Sequence, residues 1–371
     1  MEDIQLTKRP RNMVVPSFEI KVVDWYTKDW FGTYGKDRDQ VRYLYLPYIT
    51  KFSSERKIEF NLDRHNPDDV SKTINDVNEE NIDTLLHWLV KNYQGPRGRP
   101  IRLGHEFVSY RGLLSKILCS PYSTNDDLRI CAIKVNGTIY MCKFLTPMEK
   151  VDVAMQFNNP QLLKFTKFGR VFEGFMGSEK PGVKPDGSKP YSELAELSFV
   201  YNTRVGSHKL LYSAELDALE SEEGLDCPDE AYLYELKTCG DNVTVQKFNR
   251  QRLLAWWAQS ALAKVDSIVV GYRSSEGMVR ILEEIRVKEI PDQAYDWSAD
   301  QCMLALQNFL LTAKRMMKFA SQGDVYEFSW KAGRKRFTKP SVQIMQQENN
   351  ECYFLPGWYL NWLKDGKERP E

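Results

Sequence analysis

LYSAELDALESEEGLDCPDEAYLYELKTC, residues 211–239, sets Glu215 and Asp217 on one apolar run and Glu235 and Lys237 on the next. In an extended strand alternate residues share a face, so Glu215 points with Asp217, and Glu235 with Lys237. Carboxylates on a buried sheet face are costly unless something compensates them. Mg²⁺ and Mn²⁺ take several hard oxygen ligands, and acids on neighbouring strands supply them at low conformational cost. Lys237, on the face of Glu235, can then orient water or offset charge on a phosphate. An antiparallel sheet with one wet face accounts for the same pattern through surface ion pairs of little energetic weight. The spacing alone leaves both readings open.

Composition bounds the choice. At 371 residues the chain buries one large core or two medium ones, with 42% hydrophobic and 27% charged residues. The 51 basic and 51 acidic side chains cancel, which argues against coating nucleic acid through bulk charge. An acidic metal pocket and a basic groove cancel in the same way, so a nucleic-acid enzyme stays open. No apolar run reaches the roughly eighteen residues of a membrane span. The opening MEDIQLTKRPRNMVV lacks the apolar core of a secretory signal. Seven cysteines without a C-x-x-C pair read as reduced thiols inside the cell.

Outward from the acidic runs, residues 78–93 carry Ile82, Leu85, Leu86 and Leu89 at helical spacing. LRICAIKV and TIYMCKFL flank Asn136-Gly137, a strong hairpin signal. GFMGSEKPGVKPDGSKP, 174–190, reads as a loop. A helix fits FNRQRLLAWWAQSALAKV, then a strand SIVVGYR, then a helix SADQCMLALQNFLLTAKRMMKFA. The aromatic YFLPGWYLNWL packs onto the body. Residues 1–35 hold no strong period and read as a surface segment. The whole chain, 1–371, is expected to be one mixed α/β domain with a main mixed or antiparallel sheet flanked by helices.

An acid on one strand and Glu-x-Lys on its neighbour outline a PD-(D/E)xK nuclease core, whose metals polarise a phosphoryl oxygen and activate water. On the helix after Lys237, Arg252, Ala255, Trp256 and Gln259 share one face, so Gln259 can reach the metal site. Trp256 and Trp257 can stack on bases, but beside leucines they read as core. His208 in Gly206-Ser207-His208 reads as part of a turn entering a strand. The basic tracts Lys8-Arg9-Pro10-Arg11 and Lys331 to Lys339 read as too short a nuclear signal and as a solvated turn.

Taken together the segments resemble the decapping exoribonuclease (DXO) family of eukaryotes, including its fungal nuclear branch. The resemblance rests on Tyr110-Arg111-Gly112-Leu113-Leu114-Ser115-Lys116, Gly169-Arg170-Val171-Phe172-Glu173, Arg204-Val205-Gly206-Ser207-His208 and Ala214-Glu215-Leu216-Asp217. Tyr234-Glu235-Leu236-Lys237-Thr238, Leu254-Ala255-Trp256-Trp257-Ala258-Gln259-Ser260 and Phe354-Leu355-Pro356-Gly357-Trp358-Tyr359 follow in the family's order. Coverage runs from about residue 80 to 360, and the first 60 residues align with nothing in the pattern. The resemblance implies that Glu173, Glu215, Asp217, Glu235 and the main-chain carbonyl of Leu236 hold the metals. Lys237 and Gln259 complete the catalytic set with those acids. Arg111, with Tyr110 and Gly112 of its motif, serves the substrate phosphates, and Glu215, Lys237 and Gln259 also touch substrate. Glu80 and Ser198 match more peripheral substrate contacts.

The function so implied is that of a Mg²⁺- or Mn²⁺-dependent RNA 5′-end hydrolase, with two ions expected. Its substrates would be triphosphate, incompletely methylated cap or NAD cap, with 5′-to-3′ exoribonuclease action as an accompaniment. A rival is a largely non-catalytic partner that stabilises a larger nuclear 5′-to-3′ exoribonuclease; the complete acid set argues for activity. A DNA-directed nuclease of the same core is a third reading. The expected place is inside the cell, the nucleus before the cytoplasm, with no membrane association.

Overall fold

Where the period of two is clean, the chain forms long strands. The computed structural model describes residues 15–50, 57–78, 80–93, 98–123, 127–241, 252–321, 323–330, 341–345 and 351–366. The tracts Lys8–Arg11 and Lys331–Lys339, and the start of the helix expected from Phe248, lie outside these. In chain order the strands are β1 (Phe18–Lys28), β2 (Tyr34–Gly35), β3 (Tyr43–Leu44), β4 (Phe60–Asn61), β5 (Phe107–Tyr110), β6 (Leu128–Val135), β7 (Thr138–Phe144) and β8 (Gly177–Ser178). They continue with β9 (Glu196–Val205), β10 (His208–Leu216), β11 (Ala218–Leu219), β12 (Leu233–Gly240), β13 (Ser267–Arg273), β14 (Met278–Arg286), β15 (Val325–Trp330) and β16 (Ser341–Met345).

The strands form two sheets where one main sheet was expected. Nine strands run in the order β16-β15-β6-β7-β5-β10-β9-β1-β2, and seven in the order β4-β14-β13-β12-β11-β3-β8. Both mix directions: β10 is parallel to β5 and antiparallel to β9, while β12 is parallel to β13 and antiparallel to β11. The hairpin at Asn136-Gly137 forms with both residues at positive φ, 50° and 94°, the pairing a type I′ turn needs. The opening segment corrects the expectation of a surface drape, since β1 pairs along β9. Its alternation, Phe18-Ile20-Val22, is broken by a bulge between Val22 and Asp24, which hides the strand from a simple count.

The helices that position the site are α1 (Ile74–Asn78), α2 (Asp83–Asn92), α3 (Arg111–Cys119), α4 (Pro147–Phe157) and α5 (Pro160–Met176). After the short α6 (Glu223–Asp226) come α7 (Leu254–Leu262), α8 (Ala299–Met316) and α9 (Gly357–Asp365). α5 overruns the expected loop at 174–190 by three residues. It starts firmly, because Asn159 caps it by accepting from the backbone of Gln161 and Leu162, and Pro160 fits the first turn.

Three apolar clusters hold the layers together. The largest packs Leu113, Leu114 and Ile117 of α3, Trp256 and Trp257 of α7, and Leu306 and Phe309 of α8 with strands of both sheets. Both tryptophans are therefore core. A second joins Leu85, Leu86 and Leu89 of α2 to Tyr359, Trp362 and Leu363 of α9, so the closing aromatic run does dock on the body. The third seats Phe168, Val171 and Phe172 of α5 on Leu236 and Val269 of the smaller sheet. Among the described residues no helix is long and apolar enough to cross a membrane.

Candidate active site

The two acidic runs of residues 211–239 sit at the seam between the sheets. Glu215 lies near the end of β10 in the large sheet, and β11, only two residues past Leu216, already belongs to the small one. Asp217 is the single residue between them. It accepts a hydrogen bond at Oδ2 from the backbone nitrogen of Leu236, 2.7 Å away on β12. The E-x-D and E-x-K runs are thus neighbours in space, though Glu215 and Glu235 stand in different sheets. Along β12, Leu236 turns into the α5 cluster, while Glu235 and Lys237 alternate away from it.

Glu173 arrives from α5. Val171 and Phe172 face the smaller sheet, which leaves Arg170 and Glu173, three positions apart, on a common side. Arg170 Nη1 donates to Glu173 Oε2 at 3.0 Å and to Glu215 Oε1 at 2.8 Å. Lys237 donates to Glu235 Oε1. Two cations of the chain itself, Arg170 and Lys237, therefore contact three of the four carboxylates. Lys237 was read from the sequence and Arg170 was not; its one signal was the i,i+3 spacing from Glu173.

The charges act on one another strongly. Burial alone would raise the Glu215 carboxyl, but the Arg170 guanidinium overrides it and holds that carboxyl down to about 2. Burial pushes Glu173 up against the opposing pull of Arg170. Asp217 is pushed well above the usual carboxylate range by burial and then by the charges of Glu235 and Glu173. Burial works against the Lys237 ammonium, yet Glu235 and Asp217 raise it. Such like-charge crowding of buried acids marks a cation site or a proton-sharing site.

Two cavities meet at this cluster. One of about 750 Å³ is lined by Glu80, Tyr110, Arg111, Gly112, Ser198, Glu215 and Gln259, together with Lys28, Lys72 and Glu196. The structure thus gathers every peripheral contact read from the sequence around one space, with Gln259 entering from α7. Lys28 and Glu196, an ion pair at 2.9 Å, and Lys72 carried no sequence signal. A second cavity of about 430 Å³ is lined by Glu173, Asp217, Arg170 and again Glu215 and Glu196, with Arg42, Arg64, Lys180 and Lys189 on its walls. His208 sits apart at the start of β10, buried beside Glu106, in keeping with a turn entering the strand.

Two orphaned atoms test whether a metal and a phosphate fit. Glu235 Oε2 is buried and has no hydrogen-bond partner among the described residues. An unpaired buried carboxylate oxygen on a residue whose charge acts on Asp217 fits a hard divalent cation. Arg111 Nη1 is likewise buried without such a partner, while its Nη2 lies 3.5 Å from the Glu215 carbonyl. A guanidinium nitrogen held open beside the acids fits an anionic oxygen.

Comparison with known proteins bears on the chain as a whole. The family described as RAI1 like PD-(D/E)XK nuclease matches residues 21–360. The decapping and exoribonuclease protein of Bos taurus is 31% identical over 290 residues, 76% of this chain and 70% of that protein. Scheffersomyces stipitis Rai1, solved in complex with (3′-NADP)+ and calcium ion, superposes with a TM-score of 0.79 over 98% of this chain and 99% of that one, at 18% identity. Candida albicans Rai1, solved in complex with pU5-Mn2+, gives 0.73 over 98% of each chain, also at 18% identity. The fold and the acid cluster define a PD-(D/E)xK-type metal-dependent hydrolase. This chain belongs to the RAI1-like PD-(D/E)XK nuclease family.

Proposed function

We propose that this protein trims the 5′ ends of RNA, hydrolysing a phosphoanhydride or phosphodiester bond next to the terminal nucleotide. The observation that carries the reading is the larger cavity itself: it places the open Nη1 of Arg111 beside Glu215 at the edge of the acid cluster. In this reading Glu173, Glu215, Asp217, Glu235 and the Leu236 carbonyl hold two Mg²⁺ or Mn²⁺ ions, which supply polarisation of the phosphorus and acidification of the attacking water. Arg111 takes a phosphate oxygen, and the backbone of Gly112, with Tyr110, keeps that arginine at the head of α3. Lys237 and Gln259 orient the water and offset charge as the leaving oxygen departs. Glu80 and Ser198, which also line the cavity, contact the terminal nucleoside.

Support for RNA comes from the name of the Bos taurus relative and from the pU5 ligand of Candida albicans Rai1. The (3′-NADP)+ of Scheffersomyces stipitis Rai1 supports extending the reading to NAD-capped ends. Triphosphate and incompletely methylated caps join them, because one cation site serves several leaving groups if the cavity admits them. Onward 5′-to-3′ digestion, a partnership with a larger nuclear exoribonuclease and a nuclear location complete the proposal. All three rest on the motif resemblance to the fungal nuclear branch. So does the treatment of 1–371 as a single domain.

The test is a panel of RNAs differing only at the 5′ end, with matched DNA, incubated with Mg²⁺ or Mn²⁺ and read by product mass. Release of a terminal group by the parent but not by Asp217→Asn or Glu235→Gln supports the reading. Binding without cleavage at every end, or equal cutting by these variants, overturns it.

A further inference from the structure

On the face of the large sheet covered by α9, away from the acids, a second cluster brings together groups the reaction does not use. Cys131 of β6 stands opposite Glu327 of β15, and Cys352 precedes the turn into α9. The two sulfurs and a Glu327 carboxylate oxygen lie within 4.8 Å of one another. Arg129, two residues before Cys131 on the same strand face, donates through Nη2 to Cys352 Sγ at 3.0 Å and through Nε to Glu327 at 2.9 Å. Its Nη1 and Nη2 also reach Glu351, whose side chain is exposed, so Arg129 links the two buried cysteines to the surface.

We propose that Cys131 and Cys352 form an oxidisable dithiol, joined as a disulfide by a peroxide. Arg129 hydrogen-bonds one sulfur of the pair, Cys352, and acts on Cys131 through its charge alone. The thiols divide accordingly: sharing its proton with Cys352, then burial, pushes Cys131 up, whereas that same bond, together with Arg129, draws Cys352 down. Cys352 is the attacking sulfur, since the thiolate is the nucleophile and a guanidinium favours it. Its thiolate attacks one oxygen of hydrogen peroxide, the O–O bond breaks, and hydroxide leaves and is protonated to water, giving a sulfenic acid. Cys131 then attacks that sulfur. The S–O bond breaks, the hydroxyl leaves as water with the thiol proton, and two electrons have passed from the thiols to the peroxide.

A metal is the other occupant such a cluster could take. Arg129 argues against it: the arginine already pairs both the Glu327 carboxylate and the Cys352 sulfur, and its charge repels a cation. The bond would link β6 to the segment leading into α9, more than two hundred positions away in sequence. α9 braces α2 through Tyr359, Trp362 and Leu363, and the first turn of α2 lines the larger cavity. Oxidation therefore fixes a wall of that cavity without touching the acids.

The full chain, treated with hydrogen peroxide and then alkylated, is digested without reductant and mapped by mass. Expected are a cross-linked peptide pair containing Cys131 and Cys352, lighter by two hydrogen masses than the sum of its parts, and a melting temperature several degrees higher that dithiothreitol reverses. Cys131→Ser should leave a sulfenic acid on Cys352 that dimedone traps; Cys352→Ser should leave Cys131 unmodified. Oxidation of the exposed Cys227 alone, with this pair untouched, overturns the proposal. So does stoichiometric zinc that survives a chelator and is lost in Cys352→Ser.

Discussion

Burial, Glu235 and Glu173 all oppose the charged form of the Asp217 carboxylate. Asp217→Asn is therefore expected to abolish hydrolysis and yet melt higher than the parent in chelator. A lower melting temperature there would show that the carboxylate supports the fold instead of burdening it. Arg170 has the opposite standing, because it neutralises Glu173 and Glu215 together. Arg170→Gln should cost about 1–3 kcal/mol of metal-free stability, the range for losing hydrogen bonds between charged groups that are only partly exposed. Mn²⁺ should then recover more of the melting temperature in the variant than in the parent. Identical chelator melts would remove Arg170 from this role.

At the scale of elements, α5 can lie close to the smaller sheet because β13 carries a glycine beneath it. A Cβ at Gly271 would fall 2.6 Å from Phe172 Cε2, on the residue next to Glu173. Gly271→Ala is expected to destabilise by about 1–3 kcal/mol through overpacking and to weaken Mn²⁺ binding, measured by calorimetry, by displacing Glu173. Gly169→Ala, on the same helix with nothing within 4 Å, should instead stabilise by up to about 1 kcal/mol. The sequence shows some elements plainly: β13 occupies the run read from it, and Asn136-Gly137 sets the β6–β7 hairpin. It hides β1 behind its bulge. The two-residue strands β2, β3, β4, β8 and β11 are too short to display any period, which is why the second sheet was not foreseen. Within the site, E-x-K is readable because both residues lie along one strand, and E-x-D because Asp217 directly follows the strand that carries Glu215, whereas Lys28, Lys72 and Arg170 depend on tertiary approach that no local spacing encodes.

For the whole molecule, the crowded acids make metal-free stability depend on pH. Glu173 and Asp217 titrate higher when folded than unfolded, so the native chain binds their protons more tightly and gains stability as pH falls. Glu215, held to about 2 from an ordinary 4.5, has the reverse sign: its contribution is present above that ordinary value and is lost between the two. The melting difference between Asp217→Asn and the parent, measured with chelator, should therefore shrink as pH is lowered and Asp217 takes up its proton. A difference that is flat or grows would contradict the assignment of Asp217 as the strained acid.

The joint at Asp217 has a mechanical side. β10 hands the chain to the other sheet across one residue, and the backbone of Leu236 meets it there from β12. An ion gripping Asp217 and Glu235 would act as a rivet through two plates. Amide hydrogen exchange along β9 and along β13, far apart in the topology, should then slow together when Mn²⁺ is added. In Asp217→Asn the two sheets should breathe independently.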